Sequence, residues 1–145
     1  MGWAAIAGQV EVPACLLYLG GILWTLGYDT IYAHQDKTDD AMIGVRSTAL
    51  KFGAASPQWV FGFYLGAAIL FYAAGFMLDV NWPFYLFWAC ASFHLMWQIA
   101  RWSLENPASC LRVFRSNRNF GLILLAAFAL GFLPAPPLDF SFLRF

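Results

Sequence analysis

SPQWVFGFYLGAAILFYAAGFMLD, residues 56–79, is the stretch whose reading decides the fold. From Gln58 to Leu78 it carries no charged side chain, and only Asp79 ends the run. About 20 mostly apolar residues are what one helix needs to cross the hydrocarbon of a bilayer. Ser56 and Pro57 stand where an N-cap and a proline in the first turn belong. Working outward, the same pattern recurs. No charge falls between Val12 and Tyr28 or between Asn119 and Leu138, and His94 is the one titratable group between Val80 and Ala100. The expectation is an all-α, polytopic transmembrane bundle with four spanning helices near 12–34, 57–78, 82–102 and 118–134. The first runs past its charge-free part into Asp29, and Pro134, Pro136 and Pro137 close the last.

Composition agrees. Of the 145 residues 61% are hydrophobic and 11% charged, against about 25% charged in ordinary soluble domains. One core of this size cannot hide so much apolar side chain from water. A net charge of zero excludes the basic footprint of a nucleic-acid binder. Cys15, Cys90 and Cys110 match neither a metal spacing nor a disulfide framework and read as packing residues. Trp59, Trp82, Trp97 and Trp102 fall near span ends, where an interfacial belt places them, and Gly20, Gly21 and Gly27 suggest close helix contact. Seven of the eight basic residues lie in 35–56 and 101–118, which four spans put on one side, so the positive-inside rule makes that side cytoplasmic and both termini outward. The start MGWAAIAGQVEV lacks the positive region of a signal peptide, which hints that Met1 is not the natural beginning.

The chemistry concentrates in DTIYAHQDKTDDAMIGVRST, residues 29–48, where four of the eight acidic residues fall within twelve positions. Asp29, Asp36 and Asp40 stand at i, i+7 and i+11, within roughly 40° of one another if the first helix continues through Asp40. Asp39 lies off that stripe and Tyr32 borders it. Like charges one turn apart repel, so a cation is expected to repay the cost. Mg²⁺ takes one or two carboxylates, keeps waters and shares phosphate oxygens. Arg46 and Lys51 follow in the same loop and can meet such oxygens directly. The plainer alternative is a solvated acidic loop, with Asp39 and Asp40 as turn residues and Thr38 capping a new helix. An EF-hand is poorly supported, because a loop counted from Asp29 or Asp36 lacks glycine at its sixth position and glutamate at its twelfth.

YDTIYAHQDKTDDAMIGVRSTALKFG, residues 28–53, resembles the second aspartate-rich motif of the UbiA-type 4-hydroxybenzoate polyprenyltransferases: Tyr-Asp-Thr-x-Tyr-Ala, then Asp-x-x-x-Asp, then Gly-x-x-Ser-Thr. CLRVFRSNRNFG, residues 110–121, resembles that family's late cytoplasmic loop less tightly. The resemblance implies a nine-helix bundle of which residues 1–145 form a C-terminal part. It also implies a Mg²⁺-dependent prenyl transfer from a polyprenyl diphosphate to the ring of 4-hydroxybenzoate in ubiquinone synthesis, within a bacterial or mitochondrial inner membrane. It casts Asp36 and Asp40 as catalytic metal ligands, with Asp29 a third metal position on the same stripe, and beside them Arg46, Lys51 and Tyr32 are the expected diphosphate-binding residues. The family's first motif would lie in a missing N-terminal half, without which this chain is not expected to catalyse. Rival readings are another aromatic acceptor, or a cation transporter segment. The latter calls for carboxylates deeper in the spans, and the other helices are nearly free of charge. His34 reads first as a helix-end surface histidine and second as a group beside the site that titrates near neutral pH. His94 reads as an interhelical hydrogen-bond partner. Arg112, Arg115 and Arg118 read as a topology and anionic-lipid signal, with diphosphate contact as the alternative.

Overall fold

A computed structural model describes residues 2–134. It is all helical, with no strand among the described residues. The short α1 (Gly2–Ala7) precedes α2 (Val12–Ala33), the small helices α3 (Lys37–Ile43) and α4 (Thr48–Phe52), and a 3₁₀ turn (Gly53–Ala55). The long helices α5 (Ser56–Met77), α6 (Trp82–Arg101) and α7 (Pro107–Gly131) follow. Pro136, Pro137 and Arg144 lie outside the described residues. Among the described residues two stretches are long and apolar enough to cross a membrane: Val12–Ala33, with mean hydropathy 1.3, and Thr48–Met77, with 1.8. α6 and α7 have comparable length, 20 and 25 residues.

The expected boundaries of the first three long helices are met within one residue. The fourth is not. It begins at Pro107, eleven residues ahead of the expected 118, because proline opens the helix and the Asn106 side chain accepts from the Ser109 amide at 3.1 Å. Arg112, Arg115 and Arg118 are therefore helical, at i, i+3 and i+6 of α7. Charge marks where apolar surface ends, and a helix is free to run beyond that point. Ser56 also departs from expectation. It is the first residue of α5 and makes no cap; its hydroxyl turns to Gly53 and His34 instead.

The four long helices pack as a ring. α2 lies along α5 and α6 along α7, and lesser contacts of α5 with α6 and of α2 with α7 close it. The α2–α5 seam is shaped by size complementarity. A Cβ on Gly20 would strike the Phe71 ring, and one on Gly27 would overlap the Tyr64 ring. Both pairs are seven residues apart on their own helices, so each ring on α5 fills a notch on α2. Gly21, also expected at a contact, faces open space. At the far end Phe84 occupies the space left by Gly75 and Gly131, and the Asn81 amide donates to the Gly131 carbonyl at 2.8 Å.

Polar side chains cross the ring. Tyr64 of α5 donates to Gln98 Oε1 of α6 at 2.7 Å, and Gln98 Nε2 donates to Ser116 Oγ of α7 at 3.0 Å. The Ser116 hydroxyl donates onward to the Val113 carbonyl at 2.7 Å. Trp24 of α2 donates its indole N–H to Asn117 Oδ1 at 2.8 Å, and His94 pairs with the Ser116 carbonyl at 3.1 Å, the interhelical bond expected of it. Tyr64 and Gln98 have no exposed surface. Of the cysteines, Cys110 is buried and packs, whereas Cys15 and Cys90 are exposed in this chain. Trp102 is buried rather than interfacial, with its N–H on Cys110 Sγ at 3.3 Å.

Two expectations follow for unfolding in detergent micelles. Gly27→Ala should cost about 1–3 kcal/mol, since the ring it meets is held in the core. Gly21→Ala should be neutral or stabilising by up to about 1 kcal/mol through helix propensity. Tyr64→Phe and Gln98→Leu should each cost about 1–3 kcal/mol by orphaning a buried partner, and the double variant less than the sum. Simple additivity in that cycle would refute the coupling.

Candidate functional site at the aspartate-rich end

The connections α2–α5 and α6–α7 meet at one end of the bundle. Lys37 Nζ lies 3.7 Å from Glu105 Oε1, and the His34 ring stands edge-on to Trp102 with centroids 5.2 Å apart. The end carrying the aspartates is thus also the end carrying the 101–106 turn.

The carboxylates do not form the continuous stripe expected of them. α2 stops at Ala33, and the amides of His34 and Gln35 reach back only three residues, to Ile31 and Tyr32. Asp36 leaves the helical region at φ −110°, ψ 15°, and becomes the N-cap position of α3. Thr38, considered as a cap, lies inside the helix. The cause is electrostatic and local. Breaking here places Asp39 and Asp40 in the first turn of α3, where the helix dipole favours them. Gly44, at φ 76°, ends α3 in the left-handed conformation that glycine adopts at least cost. Asp29 therefore belongs to a different helix from the other three. Asp36 and Asp40 remain one turn apart, joined by an Asp40 amide to Asp36 carbonyl bond of 2.9 Å.

Both carboxylates of that pair lack an ion partner, since Lys37–Glu105 is the one ion pair among the described residues. No group of three or more His, Cys, Asp or Glu poised for a metal occurs among them either. Two free carboxylates one turn apart match what Mg²⁺ takes from a protein when phosphate and water complete its shell. The donor set fits a half-site and falls short of a closed cage. Arg46 and Lys51 line one cleft of about 410 Å³ with Ser47, Thr48 and Leu50. Tyr32 is half exposed, its ring 4.7 Å from Phe114. Arg115 and Arg118 flank a second cleft, of about 340 Å³, against Trp24 and Tyr28.

His34 is the largest departure from the surface reading of this end. It is 3% exposed, not a surface residue. Its Nε2 lies 2.8 Å from Ser56 Oγ, and the Ser56 proton goes to the Gly53 carbonyl at 2.8 Å. Nε2 must therefore donate, which leaves Nδ1 unprotonated, buried and without a partner. Gln35 Oε1 is a second buried acceptor with none. Burial first, then the Lys37 ammonium, push the imidazole below its ordinary value, against the opposing pull of Glu105 and the Leu104 backbone. Sequence reasoning overlooked Ser56, Gln98 and Asn117 as partners. Amide side chains within or beside apolar runs were the available signal for the last two.

Residues 1–125 match the UbiA prenyltransferase family. The mitochondrial 4-hydroxybenzoate polyprenyltransferase of Drosophila melanogaster is 46% identical over 132 residues, covering 90% of this chain and 34% of the relative. That of Arabidopsis thaliana is 45% identical, covering 90% and 32%. The 4-hydroxybenzoate geranyltransferase 1 of Lithospermum erythrorhizon is 43% identical over 133 residues, covering 90% and 43%. No solved structure matches at a significant level. The chain belongs to the UbiA prenyltransferase family. It spans about a third of the length of the mitochondrial relatives it matches.

A histidine whose folded-state value is depressed stabilises the fold fully above the ordinary value of 6.5 and less as pH falls through it, because the unfolded chain then binds the extra proton. Thermal stability of the chain in detergent should drop between about pH 7.5 and about pH 5.5, with a smaller drop in His34→Gln. Equal slopes for both proteins would refute the assignment.

Proposed function

We propose that this chain supplies the second aspartate-rich wall of a membrane-embedded aromatic prenyltransferase, which transfers a polyprenyl group to the ring of 4-hydroxybenzoate. The observation that carries the reading is the Asp36–Asp40 pair, one turn apart and without an ion partner among the described residues, in a chain 46% identical to a 4-hydroxybenzoate polyprenyltransferase. On this reading α2, α5, α6 and α7 all span the bilayer, and the aspartate-rich end is cytoplasmic or faces the mitochondrial matrix. The compartment is an inner membrane, and the Drosophila and Arabidopsis relatives are mitochondrial by name.

Asp36 and Asp40 would hold Mg²⁺, with Asp29 near them. Bound there, the cation would neutralise the diphosphate leaving group of the donor. Arg46 and Lys51, sharing one cleft, would meet phosphate oxygens. Tyr32 and Phe114 would offer ring faces beside the reacting carbon. In the reaction the donor's C–O bond breaks, a bond forms to the ring carbon ortho to the hydroxyl, and the ring proton leaves. The acceptor is common to the relatives' names, whereas the donor is polyprenyl in some and geranyl in another, so donor length is left to the whole cavity.

The test is a chimera in which this chain replaces the matched stretch of the Drosophila enzyme, assayed for prenylated 4-hydroxybenzoate. Asp36→Asn and Asp40→Asn should each lower turnover by about a hundredfold, some 2.7 kcal/mol in barrier, and chelation of divalent cations should abolish it. Undiminished turnover in both variants would overturn the site.

A further inference from the structure

The helix that bears Asp39 and Asp40 and is led by Asp36 contributes nothing to the core, for no residue of α3 is buried. Apolar packing therefore does not set its direction. Among the described residues, the side chains of 34–46 make one hydrogen bond to the long helices, His34 to Ser56 at 2.8 Å, and one ion pair, the loose Lys37–Glu105 contact at 3.7 Å. His34 stands two residues before Asp36, at the corner where α2 ends, and is nearly inaccessible. Its ring is fixed from two sides. Ser56, in the first turn of α5, accepts the hydrogen bond from Nε2–H, and Trp102, just after the end of α6, presents its indole edge-on at 5.2 Å. Ser56 is itself oriented by its bond to the Gly53 carbonyl.

The same corner carries a cost. His34 Nδ1 and Gln35 Oε1 are buried with no hydrogen-bond partner. Orphaned acceptors are uncommon in folded interiors, and an apolar residue at either place would relieve them. A histidine kept here at a loss is explained by what its other nitrogen does.

We infer that His34 is the positioning residue of the aspartate pair: through its bond to Ser56 it locks the α2–α3 corner to α5, and so aims Asp36 and Asp40 at a shared divalent cation. The inference rests on the cation-binding role given to that pair under the proposed function. His34 touches neither cation nor substrate. It acts on the ligands as an outer partner acts on a metal site, and losing such a partner costs affinity more than it costs fold.

The experiment titrates the full chain in detergent micelles with Mn²⁺ alone, followed by electron paramagnetic resonance, and reads amide exchange of α5, α6 and α7 in parallel. His34→Ala and Ser56→Ala should each weaken Mn²⁺ binding about tenfold and leave amide exchange in those helices as in the wild type. The double variant should be no weaker than either single one. His34→Gln, which keeps an N–H toward Ser56, should restore binding. Ser56→Ala removes the same bond without touching the corner itself, so a folding defect of His34→Ala does not blunt the test. Wild-type Mn²⁺ affinity in both alanine variants, or equal loss in His34→Ala and His34→Gln, overturns the positioning role. Asp36→Asn separates the two claims. If it abolishes Mn²⁺ binding while His34→Ala and Ser56→Ala bind like the wild type, only the positioning role falls. If it binds Mn²⁺ like the wild type, the cation site falls and the positioning role with it.

Discussion

The hydrogen-bonded path from Tyr64 through Gln98 to Ser116 is the constraint on which the remainder of this bundle depends. Between helices clothed in apolar side chains, hydrophobic burial is nearly indifferent to how one helix is rotated against another, and more so where lipid replaces water. A polar group placed in that interior is not indifferent. It must find a partner or forfeit a hydrogen bond. Tyr64, Gln98 and Ser116 each lie on a different helix, and Trp24 adds the fourth through Asn117. Their pairings select one rotation for every helix of the ring.

Shape then reinforces what polarity selects. The notches at Gly20 and Gly27 accept Phe71 and Tyr64 only in one register of α2 on α5, and the ring that fills Gly27 is the ring that donates to Gln98. The tightest notch of this seam and the polar path across the ring therefore share a residue. Displacement at this seam would break both at once.

The aspartate-rich end is built on the opposite plan. The bundle stops at Ala33, and α3 stands clear of it, with every residue at least partly open to solvent. On the proposed reading, carboxylates that share a cation with a phosphate must keep their oxygens available, and burial would defeat them. What such a segment gives up in packing it must recover at its root, and here the root is a histidine gripped by a serine and a tryptophan.

The charge-free runs of the sequence were enough to place the four long helices and the limits of three of them, because helix length and apolar content are properties of a continuous stretch of chain. The resemblance of residues 28–53 was enough to point to the family, and the spacing of Asp36 and Asp40 survived as a one-turn pair. Three things were not readable from it. The start of α7 at Pro107 and the break that parts Asp29 from Asp36 are set by local caps and charges that charge-free runs do not register, and the burial of His34 against Ser56 and Trp102 depends on partners far along the chain. His34 looks like a surface residue until Ser56, twenty-two residues on, is brought against it. Periodicity tells which residues can share a face of one helix. Which faces meet is decided only when the helices pack, for the energies that decide it arise between segments and not within them.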